Sequence, residues 1–151
     1  MSAITSFLEG TSSDHRGRNI SEVLNFDNGA LEAVHDYIQW LFPLPETSAF
    51  NPFAPVLTSS DIEALKRSPR AQESLEKATA RMLQFYRQNT NWLTVVDHNH
   101  LRITRIIRSL ALLQGKDKAR LFHDQILQIT ESAGRPVASQ ALNYWYNAAY
   151  G

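Results

Sequence analysis

Asp14-His15-Arg16-Gly17-Arg18 places an acid, an imidazole and two guanidiniums within five residues. Paired arginines suit a phosphate or carboxylate, because the planar guanidinium presents its donors as a fork. The same residues also suit a turn at Gly17 whose arginines tie the chain to its own carboxylates. Asp97-His98-Asn99-His100 is the densest run of metal-ligating types. Zinc takes three or four ligands in a tetrahedral array. Histidines two apart diverge on a helix and converge in an extended segment, and His123 or His35 would have to complete the set. The competing reading makes Asp97 a helix cap facing the macrodipole, and it leads us to expect no metal.

Arg102, Arg105 and Arg108 span about 120° of a helix face at 100° per residue. Three arginines along one helix could track phosphates, with Lys116, Lys118 and Arg120 extending the surface. Leu101 and Leu112 share that face, so part of it is expected to be covered. Tyr144, Trp145, Tyr146 and Tyr150 suit stacking on bases or a ligand, or the completion of a core by the last helix. No nucleophile elbow, phosphate-cradling glycine loop or zinc-protease histidine pair occurs, and the carboxylates are scattered. Nothing in these residues makes a positive case for an enzyme, and no cofactor is expected.

The elements that must position these residues are helical. The chain has 151 residues, 43% apolar and 20% charged, which is ordinary for one soluble domain. It has no cysteine, which excludes disulfides and thiol chemistry. Formal charge is zero overall, yet Met1 to Glu46 has seven acids against two arginines, and His98 to Gly151 has seven basic residues against three acids. The two ends are expected to neutralise each other. The first residues lack a basic start and a long apolar run, and no window offers roughly 20 apolar residues. The expected location is cytoplasmic.

Residues 1–26 read as an irregular N-terminal arm whose apolar clusters, Ile4, Phe7 and Leu8 then Ile20, Val23 and Leu24, dock on a helical domain at 27–151. Asp27 caps a helix from about Asn28 to Phe42. In it Leu31, Val34, Ile38, Leu41 and Phe42 share one face, with Glu32, Asp36 and Gln39 opposite. Pro43 and Pro45 end it. Residues 43–58 hold four prolines and form a loop pinned by Phe50, Phe53, Val56 and Leu57. Further helices are predicted for Asp61-Arg67, Pro69 to Gln88, His98 to Gln114, Lys118 to Ser132 and Val137 to Ala149. Asn91 to Val96 suits a strand but would lack a partner. The fold class is all-α, a single compact bundle of about six helices. Trp40, Phe42, Phe50 and Phe53 are expected to form one mainly buried cluster where helix and loop meet.

Four segments carry a family resemblance: DHRGR at 14–18, ALEAVHDYIQWLFPLPE at 30–46, FNPFAP at 50–55 and NHLRITRIIRSLALLQG at 99–115. Their strings and spacing resemble the N-terminal domain of the opioid growth factor receptor family. The resemblance implies an all-helical domain, unrelated to seven-helix receptors, in proteins described as receptors for enkephalin-type peptides, associated with the nuclear periphery and with growth restraint. Those proteins extend further, into C-terminal segments that include repeats. It brings no catalytic residues.

The reading is therefore a non-enzymatic module for a peptide or protein. Its candidate binding residues are Asp14, His15, Arg16, Arg18, Trp40, Phe50, Phe53, Arg102, Arg105 and Arg108. One alternative is a nucleic-acid-associated protein using the arginine helix. The other is an enzyme or metal protein using Asp14, His15, Arg16, Arg18, His98 and His100 on an anionic substrate.

Overall fold

Ser2, Asn19, Asp27, Thr58, Ser68 and Asp97 each accept a hydrogen bond from an amide two or three residues on. Each satisfies one of the amides that an α-helix leaves without a partner at its start. A computed structural model describes residues 1–49 and 51–151. Among these it has nine helices and no strand. They are α1 (Ala3–Leu8), α2 (Ile20–Leu24), α3 (Asn28–Ala33), α4 (Ile38–Leu41), α5 (Ser59–Arg67), α6 (Pro69–Gln88), α7 (His98–Leu113), α8 (Lys116–Ser132) and α9 (Ser139–Tyr150). The chain forms two compact units, Met1–Ala78 and Thr79–Gly151, whose boundary falls within α6.

In the first unit the N-terminal arm is partly helical. Its side chains Ile4, Phe7, Leu8, Ile20 and Val23 are buried and Leu24 is half-buried. Phe7 meets Trp40 edge-on, with ring centroids 5.3 Å apart. Ser68 Oγ donates to Glu9 Oε2 at 2.7 Å, which fastens the end of α1 to the start of α6. The proline loop makes a single parallel bridge between Leu44 and Val56.

The helix expected from Asn28 to Phe42 is two helices. Val34 is extended, with φ −86° and ψ 128°, and the chain becomes helical again only at Ile38. Tyr37 seals the break: its hydroxyl, buried, donates to the Leu31 carbonyl at 2.7 Å. Gln39, placed by helical periodicity on the polar side, is buried.

In the second unit α7, α8 and α9 enclose Ile103, Ile106, Ile107, Leu110, Phe122, Ile126 and Trp145, all buried. Gly115 joins α7 to α8 at φ +103°, a conformation that a Cβ disfavours. Trp92 donates its indole N–H to the Tyr86 and Asn89 carbonyls. Residues 91–96 form turns and bends, and Val95 and Val96 are exposed. Tyr144 and Tyr146 are exposed and Tyr150 is half-buried, so of the four C-terminal aromatics only Trp145 is a core residue.

Candidate functional site

The turn at Gly17 closes through two backbone bonds, Asp14 N–H to Arg18 O at 2.8 Å and Gly17 N–H to Asp14 O at 3.0 Å. Asp14 Oδ1 accepts the Arg16 and Arg18 amides, and Asp14 Oδ2 accepts Arg18 Nε at 2.7 Å. That leaves the rest of the Arg18 guanidinium for Asp36, with Nη2 3.0 Å from Oδ1. Asp36 Oδ2 meets Arg16 Nη1 at 3.3 Å and His15 Nε2 at 3.4 Å.

The α3–α4 break makes this possible. A continuous helix would keep Asp36 in the polar row with Glu32; the extended turn delivers it to the arginines instead. Burial acts to raise the Asp36 carboxyl. The Arg18 hydrogen bond and the charges of Arg18 and Arg16 outweigh it and hold the group below the usual carboxylate range.

His15 is fixed from a second side. The Trp40 indole N–H donates to His15 Nδ1 at 3.1 Å, and the ring planes differ by only 12°. An indole N–H can only donate, so Nδ1 carries the lone pair and Nε2 the proton that faces Asp36. Phe53 lies nearly parallel to His15, at 14° with centroids 6.1 Å apart. It is 72% exposed. Arg16, Val34, His35, Asp36 and Asn51 line an open pocket of about 380 Å³. Asn51 is buried, and its Nδ2 reaches Gln39 Oε1 at 3.5 Å.

The structure therefore brings Asp14, His15, Arg16, Arg18, Trp40 and Phe53 together and adds Asp36, Gln39 and Asn51. The aromatic cluster expected to be mainly buried divides. Trp40 and Phe42 are core, Phe53 stands in solvent because its loop turns outward over His15, and Phe50 lies outside the described residues. Asp36 was missed because helical periodicity put it on a solvated face. The signal was the run Val34-His35-Asp36-Tyr37, four residues of modest helix propensity in succession.

The remaining candidates lie in the second unit and do not behave as one face. Arg102 is 6% exposed, and its Nη1 donates to Asn99 Oδ1 at 3.4 Å. Arg105 is half-buried and Arg108 exposed. The arginine surface expected from periodicity thus loses its first member to the core. Asp97 caps α7 as expected. His98 is exposed, while His100 is buried with Nε2 2.7 Å from the Trp92 carbonyl. A carbonyl only accepts, so His100 Nε2 carries a proton and is not a ligand atom in this arrangement. Elsewhere in this unit His123 Nδ1 and the Tyr150 hydroxyl both bond Asp124, at 2.9 and 2.8 Å. The His123 bond comes first among the causes that lower the Asp124 carboxyl; the Tyr150 bond adds to it, against burial. Among the described residues no helix is long and apolar enough to cross a membrane.

Residues 13–150 match the Opioid growth factor receptor (OGFr) conserved region. The chain belongs to that family. The opioid growth factor receptor of Homo sapiens is 37% identical over 80% of this chain and 20% of its own length. Opioid growth factor receptor-like protein 1 of Xenopus tropicalis is 38% identical over 64% of this chain and 23% of its own length. The Mus musculus receptor is 40% identical over 59% of this chain and 16% of its own length. The chain thus spans about a fifth of the curated relatives it matches. No solved structure matches it. The matched region takes in the His15–Asp36–Trp40 cluster whole.

Proposed function

We propose that this opioid growth factor receptor-like chain is a non-enzymatic binding module for a peptide or protein, and that the surface around Phe53 and Arg16 makes the contact. The single observation that carries this is Phe53: a large apolar ring, 72% exposed, aligned with His15. Arg16, whose side chain is 65% exposed, lines the neighbouring pocket with Asn51. Exposed aromatics and arginines are the side chains that dominate binding energy when covered. The network beneath is internally neutralised, two arginines against Asp14 and Asp36, so the surface offers one partly paired cation, one aromatic and one buried amide. That set suits an extended peptide with an apolar and an acidic group.

The receptor names belong to proteins of which this chain matches only a part, and a peptide ligand is carried to it on that footing. The test is calorimetric titration with an enkephalin-type peptide, together with photocrosslinking from benzoylphenylalanine placed at position 53. The expected result is saturable binding that Phe53→Ala and Arg16→Ala abolish, or a discrete polypeptide crosslinked from position 53 and not from exposed Glu63. Absence of both rejects the reading.

A nucleic-acid reading draws on the basic second unit. With Arg102 buried it reduces to Arg105, Arg108, Lys116, Lys118 and Arg120, and it requires affinity that falls steeply with salt.

A further inference from the structure

The second unit carries a feature the binding site above does not use. Thr104, Arg108, Ala111 and Leu112 on α7 and Tyr144, Asn147 and Ala148 on α9 line an open groove of about 630 Å³. Leu101, three residues before Thr104, is 59% exposed, and Tyr144 is 53% exposed. From Leu101 to Leu112 the α7 face runs about 16 Å, or three helical turns. Ala111 and Ala148 keep side-chain bulk low in the groove. Leu112 and Tyr144 give it apolar walls, and the hydroxyl of Thr104 is already turned back to the His100 carbonyl at 3.2 Å. Such a surface accepts an amphipathic helix through apolar anchors spaced by three or four residues.

Charge decides the kind of helix. Arg108 is the groove's one charged side chain, and it is exposed. Thr79–Gly151 holds nine arginines and lysines against four acids, a formal excess of five positive charges. We infer that the α7–α9 groove docks an acidic amphipathic helix of a partner protein. The helix's apolar stripe enters between Leu112 and Tyr144, and a carboxylate pairs with Arg108. A phosphate backbone fits less well. It requires several cations along its track, whereas six of the seven residues lining this groove are uncharged. This inference is independent of the Phe53 surface, and either can fail alone.

The test uses the full chain and a labelled peptide of about four helical turns, with leucines at one stripe and glutamates on its flanks. A second peptide replaces glutamate by lysine, and single-stranded and duplex DNA of similar length serve as rivals. Anisotropy is read at an ionic strength of ~0.15 M. The expected result is that the acidic peptide binds at least about tenfold tighter than the basic one. Arg108→Glu and Tyr144→Ala should each weaken it at least about tenfold, and amide shifts should change at Thr104, Ala111 and Ala148. Both substitutions are at exposed positions, and circular dichroism melts check that the variants remain folded. Phe53→Ala should leave this binding unchanged. No binding, equal binding of the basic peptide, or insensitivity to both variants overturns the inference. DNA bound more tightly than the acidic peptide, with steep salt dependence, assigns the face to nucleic acid instead.

Discussion

The indole N–H of Trp40 donates to Nδ1 of His15 at 3.1 Å, with the two ring planes within 12° of parallel. This pairing joins a core residue to the turn that holds both site arginines. Trp40 is 6% exposed and packs on Phe7. Trp40→Ala should therefore cost about 3–5 kcal/mol. Trp40→Phe keeps a ring against Phe7 and loses the donor to His15, for about 1 kcal/mol. Urea unfolding of the two variants separates packing from the hydrogen bond. Equal and small losses would show that the ring is not part of the core.

Asp36 should make the first unit acid-sensitive. Its carboxyl is held low in the fold, so its contribution is complete above the unfolded value of about 3.9 and disappears as pH falls through the lower folded value. Asp61 acts in the same direction. Burial raises it, but the hydroxyls of Ser2 and Thr58 and the Thr58 amide more than compensate. Asp36→Asn should lower stability at neutral pH and flatten, without abolishing, the decline below pH ~4. Unfolding free energies across the acid range check this; parallel curves for parent and variant would remove Asp36 from the account.

What the sequence made legible follows from how local each cause is. Asp27 and Asp97 were readable as caps because a cap depends on its own next three residues. α6 and α7 were readable as helices because 3.6 periodicity repeats over 20 and 16 residues. The break at Val34 to Tyr37 was marked only by four residues of modest helix propensity, and the bond across it, from the Tyr37 hydroxyl to the Leu31 carbonyl, is invisible to periodicity. Phe53 was misread as core because composition says nothing about which way a proline loop turns. Arg102 was misread as surface because Asn99, which holds it, is itself buried and bonded by Tyr86.

That buried arginine gives a contrast within one helix. Arg102 bonds Asn99, whose Nδ2 in turn reaches Asp97 at 3.0 Å. Arg102→Ala should cost about 2–3 kcal/mol, in the range for a bond to a charged group. Arg108→Ala, at an exposed position, should stay within about 0.5 kcal/mol. Thermal melts of the two single variants decide it. A triple arginine variant would confound lost folding with lost binding, so a loss of partner in it is interpretable only beside these singles.

Tyr37 tests whether the α3–α4 break builds the site. Its hydroxyl donates to the Leu31 carbonyl at 2.7 Å out of solvent, so Tyr37→Phe removes a buried hydrogen bond and should cost about 0.5–1.5 kcal/mol. A structural bond alone predicts only that loss. If the break positions Asp36, the variant should also disturb the neighbouring pair: the Trp40 indole proton should shift in the NMR spectrum, and the His15 ring nitrogens should lose the single-tautomer pattern set by Trp40 and Asp36. Phe53→Ser, at an exposed position, should change neither stability nor the His15 tautomer. A destabilised Tyr37→Phe protein with unaltered Trp40 and His15 resonances would separate the break from the site and leave the arginines alone to hold Asp36.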